Sequence, residues 1–169
     1  MRIEFVNYFF VRHLFLSLKE VTQVSSRHVS QSDKRQQAWQ EWWSEKKKTN
    51  NRFLQACQSG DLLVCQQLLD KKRGDLVADI NTKGENDWTP IHFACLNGNT
   101  SLVYLLISKE ANIDGETSLK FTPLHITAQK GFEEIAQLLI NAGADVNCKD
   151  IFNNTPLHYS SQNSNILVK

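Results

Sequence analysis

The chain has 169 residues, 41% of them apolar, and a formal net charge of +1. This size admits one ordinary domain or a short repeat array, and the near-neutral charge argues against a protein built mainly to bind nucleic acid. The charge is uneven, because residues 1–50 hold nine Lys or Arg against five Asp or Glu, whereas residues 51–169 hold ten against thirteen.

The first stretch, residues 1–32, is predicted to be a poorly defined, partly disordered head and linker. Residues 3–18 are rich in Phe, Val and Leu, but Glu4, Arg12 and His13 interrupt them. A spanning helix needs about 20 uninterrupted apolar residues, and a secretory signal needs an uncharged centre, so the stretch fits neither pattern. Three interpretations stay open: an element packed on the rest of the chain, a weak membrane-surface segment, or a segment with no folded role.

Residues 33–49 are predicted to form a tryptophan-rich helix, because they lack Gly and Pro and contain many good helix formers. Ala38, Trp39, Trp42 and Trp43 fall on one stripe at helical spacing. The favoured interpretation is that the indole rings cover the open end of the array that follows. The alternative is an aromatic helix that contacts a partner or a membrane surface, with the lysines at 46–48 as its basic end.

The rest of the chain is organised by a tetrad, Thr-Pro-Leu/Ile-His, which occurs at residues 89–92, 122–125 and 155–158, 33 residues apart. Proline fits the first position of a helix, where no N–H is needed, and the preceding threonine can cap that helix. Gly98 and Gly131 each come before an apolar block. Similar four-residue segments, here called closing segments, end the units at residues 78–81, 111–114 and 144–147. This period predicts two short helices and a turn per unit.

These motifs resemble the ankyrin-repeat family over about residues 50–169, most closely at residues 122–128 and 143–147. The resemblance implies an all-α solenoid of stacked helix-turn-helix units with hairpin-like turns. Unit one is degenerate, and five extra residues lie between Asp70 and Val77, where residues 71–74 are predicted to form a basic surface loop. The predicted units are one (50–81), two (82–114), three (115–147) and a truncated four (148–169).

The tetrad histidines are interpreted as structural, since the resemblance implies that each imidazole bonds to its threonine and to the neighbouring unit. Catalysis needs unlike groups that converge, whereas a repeat spreads like groups along a line. We therefore predict no catalytic residue, no metal site and no cofactor. The structural motif residues are Thr89, Pro90, His92, Thr122, Pro123, His125, Thr155, Pro156 and His158.

Three of the four cysteines are predicted to lie in the core. Cys57 and Cys95 share the register of Ala128, and Cys65 shares that of Val103, so each thiol takes the place of a small apolar side chain. Unpaired core thiols favour a reducing compartment. A cytoplasmic location is therefore predicted, and a nuclear one stays open.

Side chains that vary between units are expected on the surface, because core positions must repeat. The family implies that the turn tips and first-helix positions line a concave groove where partners bind. We predict that Leu119, Ile151 and Phe152 are the best contacts, and that Trp88 and Phe121 are half-buried. The full predicted partner-binding set is Trp88, Leu96, Asn97, Leu119, Phe121, Gln129, Lys130, Ile151 and Phe152.

Glycine is replaced at several turn positions where the family usually has it. Asp87, Lys120 and Asn153 occupy one such position in the hairpins, so a loose hairpin geometry is expected. Glu110 stands where unit three has Gly143, and it is expected to cost some stability or to change how the second helix ends.

The function predicted from these observations is a non-enzymatic protein-binding module that uses its concave hairpin and inner-helix surface. One alternative is the regulatory ankyrin end of a larger signalling enzyme or channel that continues past residue 169. A second alternative is a membrane-surface tether through residues 1–48. The sequence specifies neither the partner nor the oligomeric state.

Overall fold

The computed structural model describes residues 31–70 and 76–164. The chain divides into two parts, Met1–Trp39 and Gln40–Lys169, and the repeats lie in the second part. The predicted head and linker up to residue 30, the predicted loop at 71–74 and residues 165–169 lie outside the described residues. The α-helices in these described ranges are α1 (Gln31–Ser59), α2 (Leu62–Leu69), α3 (Pro90–Leu96), α4 (Thr100–Ser108), α5 (Pro123–Lys130), α6 (Glu133–Asn141) and α7 (Pro156–Ser164).

Units two and three are each a pair of short helices, as the period predicts. α3 packs on α4 and α5 packs on α6, while α5 also packs on both α3 and α7. The repeated apolar positions form the core between them, and each such side chain contributes about 1.5–3 kcal/mol through burial. Among the most buried are Ile91, Leu102, Leu106, Leu124, Ile135 and Leu139.

The α1 helix differs from the sequence prediction, because it does not stop at the boundary placed between residues 49 and 50. It runs from Gln31 to Ser59 and includes the first helix of unit one, with Phe53 fully buried. No Gly or Pro interrupts this stretch, so nothing in the sequence ends the helix before Gly60. Residues 31 and 32, predicted as linker, are therefore helical.

The tryptophans of α1 are partly exposed. Trp42 is 43% exposed and Trp43 is 54% exposed, and their ring centroids lie 6.2 Å apart. The cover of the open end of the array by these rings stays a prediction. Further along α1, the Lys46 ammonium group donates to the carbonyl of Val77.

Side-chain amides join unit one to unit two. Asn97 Nδ2 donates to the Gln58 carbonyl at 2.8 Å, and Asn99 Nδ2 donates to the Gly60 carbonyl at 3.1 Å. The closing segments are hydrogen-bonded to one another from unit to unit. Asn81 Oδ1 accepts the N–H of Asn112 at 2.8 Å, and one unit later Asp114 Oδ1 accepts the N–H of Asp145 at 2.9 Å.

Glu110, at the end of α4, takes the left-handed conformation that glycine has in unit three. Glu110 has φ +63°, whereas Gly143 at the same register has φ +96°. A side chain at positive φ is disfavoured by contact between Cβ and the backbone, and glycine removes that contact.

We expect Glu110→Gly to raise the free energy of unfolding by about 1 kcal/mol, because it relieves a left-handed conformation. Urea unfolding followed by circular dichroism measures this change. Gly143→Ala is the matched control and should lower stability, since a Cβ added at this position would meet nothing within 4 Å and the change adds only backbone strain. A Glu110→Gly variant no more stable than the parent would contradict the strain.

Gly98 is constrained both by its backbone and by the next unit. It has φ +65°, and an added Cβ would lie 2.8 Å from the Phe132 ring. Gly60 has a similar φ of +77°, but its nearest atom, Asn99 Nδ2, is 3.4 Å away.

We expect Gly98→Ala to destabilise the protein by about 1–2 kcal/mol more than Gly60→Ala, because only the first change forces Phe132 to move. Thermal melts of the two variants give the comparison. Equal losses of stability would show that backbone strain alone accounts for both.

Candidate protein-binding surface

The tetrad histidine of unit two joins that unit to unit three. His92 is fully buried, and its Nδ1 accepts the Thr89 N–H at 3.2 Å while lying 2.7 Å from the Thr89 hydroxyl. Because Nδ1 accepts, the ring proton lies on Nε2. Nε2 donates it to the Phe121 carbonyl of unit three at 3.1 Å.

His125 repeats this arrangement one unit later. Its Nδ1 accepts the Thr122 N–H at 3.2 Å, and its Nε2 donates to the Asn154 carbonyl of unit four at 3.1 Å. His158 keeps the local half of the pattern, with Nδ1 3.1 Å from the Thr155 nitrogen, but its side chain is exposed. The contacts of His92 and His125 are those that the resemblance implies.

The three imidazoles do not share a cavity, since the two buried ones donate to different carbonyls in successive units. Within residues 31–70 and 76–164, no group of three His, Cys, Asp or Glu side chains has the spacing of a metal site. Cys57, Cys65 and Cys95 are buried, and burial raises the pKa of the Cys95 thiol. The raised pKa of Cys95 disfavours the reactive thiolate form of this side chain.

Burial also sets the protonation of His92. Desolvation lowers the pKa of its imidazole to about 4, against an ordinary value of 6.5, although the backbone carbonyl of Phe121 opposes this shift. Between these two values the unfolded chain binds a proton that the folded chain does not. The free energy of unfolding therefore rises with pH across this window, and acidification through it removes stability.

We expect His92 to make the protein less stable by at most about 3 kcal/mol as the pH falls from 6.5 to 4. Urea unfolding at several pH values measures this slope for the parent and for His92→Asn. The variant should be less stable at pH 7 and should have a shallower slope. Equal slopes for the parent and His92→Asn would contradict the prediction.

The turns before the tetrads are hairpins, here called fingers two (84–88), three (117–121) and four (150–154). Each is closed by a bond from its first N–H to its last carbonyl, with N···O distances of 2.7, 3.0 and 3.0 Å. Neighbouring fingers are bonded as well. The Ser118 N–H donates to the Asn86 carbonyl at 2.9 Å, and the Ile151 N–H donates to the Leu119 carbonyl at 3.3 Å.

The expectation of loose hairpins is not met, because all three closing bonds form. Asp87, Lys120 and Asn153 take up the left-handed conformation that glycine usually supplies, with φ of +61°, +57° and +65°. The cost is backbone strain in each finger, and the geometry of the fingers is preserved.

The predicted partner-binding residues divide by exposure. Three large apolar side chains on fingers three and four are exposed: Leu119 (51%), Ile151 (49%) and Phe152 (68%). We call these three residues the finger patch. Asn97, Gln129 and Lys130 are also exposed, whereas Leu96, Trp88 and Phe121 are half-buried.

The half-buried aromatic residues pack behind the fingers. The Trp88 ring lies 5.2 Å from Phe93 and 5.8 Å from the His92 ring, measured between centroids. The Phe121 ring lies 5.5 Å from His125 and 5.3 Å from Tyr159. These rings therefore support the tetrad histidines. Asn97, predicted as a contact, also has the structural role described above.

Sequence reasoning missed the residue that shapes finger four. Asp150 is 4% exposed, and its Oδ1 accepts the N–H groups of Phe152 and Asn154, both at 2.8 Å. Its other oxygen accepts the Tyr159 hydroxyl. The available signal was its register with Thr117 and Gly84, since aspartate commonly bonds the backbone two residues further on.

A shallow groove of about 590 Å³ lies between fingers two and three. Its lining mixes charges of both signs, and Lys83 pairs with Asp87 at 3.2 Å. Groups of both signs and an open shape do not resemble a site for one small ligand.

Residues 53–150 and 119–169 match a family model described as ankyrin repeats (3 copies). The chain belongs to the ankyrin-repeat family. Ankyrin repeats generally mediate contacts between proteins. One curated relative is the palmitoyltransferase AKR1 of Naumovozyma castellii, which is 39% identical over 64 residues. The match covers 38% of this chain and 8% of the relative, so the chain matches only a small part of that protein. Among the described helices of the ankyrin protein, none is both long and apolar enough to span a membrane.

Proposed function

We propose that this ankyrin protein is a non-enzymatic module that binds a protein partner through its fingers and first helices. The observation that carries the proposal is the finger patch. Leu119 and Ile151 lie on neighbouring fingers that a backbone bond of 3.3 Å holds together, and Phe152 follows directly. Half or more of the Leu119 and Phe152 side chains is exposed.

Large exposed apolar side chains that lie side by side are typical of protein interfaces, and a few such residues usually supply most of the binding energy. The fingers are also fixed before any partner arrives. Their closing bonds, and the bonds between fingers, hold the backbone, so less conformational entropy is lost on binding.

Polar residues on the first helices complete the proposed surface. Gln129 and Lys130 are exposed at the end of α5. A polar rim around an apolar centre is the usual composition of a transient interface. Trp88, Leu96 and Phe121 are half-buried, so we assign them to support of this surface and to smaller contacts.

The experiment is capture of partners from cell extract on the immobilised full chain, followed by affinity measurement for each captured protein. We expect the double change Leu119→Asp, Phe152→Asp to weaken binding at least about tenfold. The change replaces two apolar side chains at the centre of the proposed interface with charged ones. Helical circular dichroism should be unchanged.

The matched control is Leu63→Asp, Tyr104→Asp on α2 and α4. These side chains are 64% and 66% exposed but lie outside the fingers. Binding should persist in the control. If the finger variant folds and binds as the parent does, or if the control loses binding equally, the assignment to the finger patch is wrong.

We place the protein in a reducing compartment, the cytoplasm in the first instance. This proposal is supported by four cysteines that are all free thiols, three of them buried. Cys57 and Cys65 have sulfur atoms 3.4 Å apart without a bond between them.

A second candidate function is that of a regulatory ankyrin region within a larger enzyme. The observation that favours it is the relative named as a palmitoyltransferase, whose match to this chain is confined to 64 residues. Detection of the endogenous product with an antibody against the array tests this candidate. A product near the 19.4 kDa of this chain would remove it, and a much larger one would support it.

A further inference from the structure

The two helices of unit one hold a pair of thiols that contact each other. Cys57 lies near the end of α1 and Cys65 lies within α2, and their Sγ atoms are 3.4 Å apart. Both side chains are fully buried. A disulfide bond is about 2.0 Å long, so the two sulfur atoms need to approach by only about 1.4 Å to form one. Among residues 31–70 and 76–164, no second sulfur atom lies within hydrogen-bonding distance of Cys95 or Cys148.

The two positions of this pair recur in the next units, but only unit one has cysteine at both of them. The same register holds Cys95 and Val103 in unit two, and it holds two alanines, at 128 and 136, in unit three. Because alanine fits both positions, packing of the repeat does not require sulfur at either one. Unit one therefore has two thiols where the fold needs only small apolar side chains.

The thiols lie on either side of the turn to which unit two is bonded. In this turn the Gln58 and Gly60 carbonyls accept hydrogen bonds from side-chain amides of unit two, at 2.8 and 3.1 Å. A bond between Cys57 and Cys65 closes the segment that contains these two acceptors. The state of the thiols therefore bears on the part of unit one that joins the rest of the array.

Local opening of α2 gives an oxidant access to the pair. Only Cys65 and Leu69 are buried among the eight residues of this helix. Its end is joined to α4 by an exposed ion pair of 3.1 Å between Asp70 and Lys109, and exposed pairs add little stability. A short helix with few buried side chains opens at a lower free energy than the whole protein unfolds, so Cys65 becomes accessible while the other units stay folded.

We propose that Cys57 and Cys65 form a reversible dithiol–disulfide site, which hydroperoxides oxidise and small thiols reduce. The hydrogen bond between the two thiols separates their roles. Because the Cys57 S–H donates to the Cys65 sulfur, it lowers the pKa of Cys65 and raises that of Cys57. Cys65 is therefore the thiol that ionises and attacks, and Cys57 is the one that completes the disulfide.

The reaction with hydrogen peroxide has two steps. The Cys65 thiolate attacks one peroxide oxygen, the O–O bond breaks, and the hydroxide that leaves takes up a proton, so Cys65 becomes a sulfenic acid and water is formed. The Cys57 sulfur then attacks the Cys65 sulfur, the S–O bond breaks, and the departing hydroxide takes the Cys57 proton. In total, two thiols and one peroxide give one disulfide and two waters. A thiol reductant returns both cysteines to the reduced form by exchange.

The disulfide is expected to restrain the opening of α2, because it joins this helix covalently to α1. Hydrogen exchange of the α2 amides should therefore be at least about tenfold slower in the oxidised protein than in the reduced one. Exchange in α6 of unit three should be equal in the two forms, since that helix lies outside the cross-linked segment.

The test treats the reduced full chain with hydrogen peroxide, alkylates the remaining thiols and analyses tryptic peptides by mass spectrometry. Trypsin leaves Cys57 and Cys65 together in the peptide 53–71, which contains no internal Lys or Arg. This peptide should lose the mass of two hydrogens and escape alkylation, and dithiothreitol should restore both thiols. Cys95 and Cys148 are the internal controls and should be alkylated before and after peroxide treatment.

Two variants at one position test the assigned roles. Cys57→Ser keeps a hydroxyl donor beside Cys65 but cannot form the disulfide, whereas Cys57→Ala removes the donor as well. Unit three has Ala128 at this register and unit four has Ser161, so both variants should keep the parent's circular dichroism. Dimedone, which labels sulfenic acids, should label Cys65 in both variants and at least about threefold faster in Cys57→Ser.

The proposal is overturned if the peptide 53–71 keeps two alkylated cysteines after peroxide treatment. It is also overturned if the disulfide that forms joins two chains or involves Cys95 or Cys148. Equal labelling rates in Cys57→Ser and Cys57→Ala would contradict the role given to the hydrogen bond, and equal exchange of the α2 amides in both redox forms would contradict the restraint on opening.

Discussion

The buried imidazole bridge is the interaction on which the array depends. Each of His92 and His125 fixes its own helix start through Nδ1 and holds the next finger through Nε2. One side chain therefore sets both the local turn and the distance between units. The arrangement needs a neutral ring, and burial supplies it by lowering the pKa of His92 to about 4. The same residue that joins the units thus makes their joining sensitive to acid.

In the fingers, the backbone conformation repeats from one unit to the next, whereas the side chains at the tips vary. Their closing backbone bonds recur in units two, three and four, while the side chains at their tips differ, from Asn86 to Leu119 to Phe152. Because the backbone carries the stability, the tips are free to change without loss of the fold. This division explains how a stack of near-identical units can present one apolar patch at a single place. It also explains why non-glycine residues are tolerated at positive φ in the fingers, where the bonds on either side hold them.

The sequence predicted the period, the helix starts and the half-buried state of Trp88 and Phe121, because each depends on residues that recur at a fixed interval. It failed where the repeat is degenerate. Nothing in residues 31–59 breaks a helix, so the join between the tryptophan-rich stretch and unit one could not be placed. The exposure of Trp42 and Trp43 depends on where they lie along that helix, which helix propensity does not predict. Asp150 was missed because its bonds to the backbone shape only finger four, and the equivalent positions 84 and 117 in the other fingers hold no aspartate.

The short sequence distance between bonded partners has a consequence for how the chain folds. The hydrogen bonds from His92 and His125 to the next unit each span 29 residues. The hydrogen bond from the Asn97 side-chain amide to unit one spans 39. Contacts of this range close small loops, so little entropy must be lost before the first native pair of units forms. Folding can then begin at any well-matched pair and spread to its neighbours. Units two and three are more regular in sequence than unit one. This pair is therefore suited to form first, and the divergent first unit is then added to it.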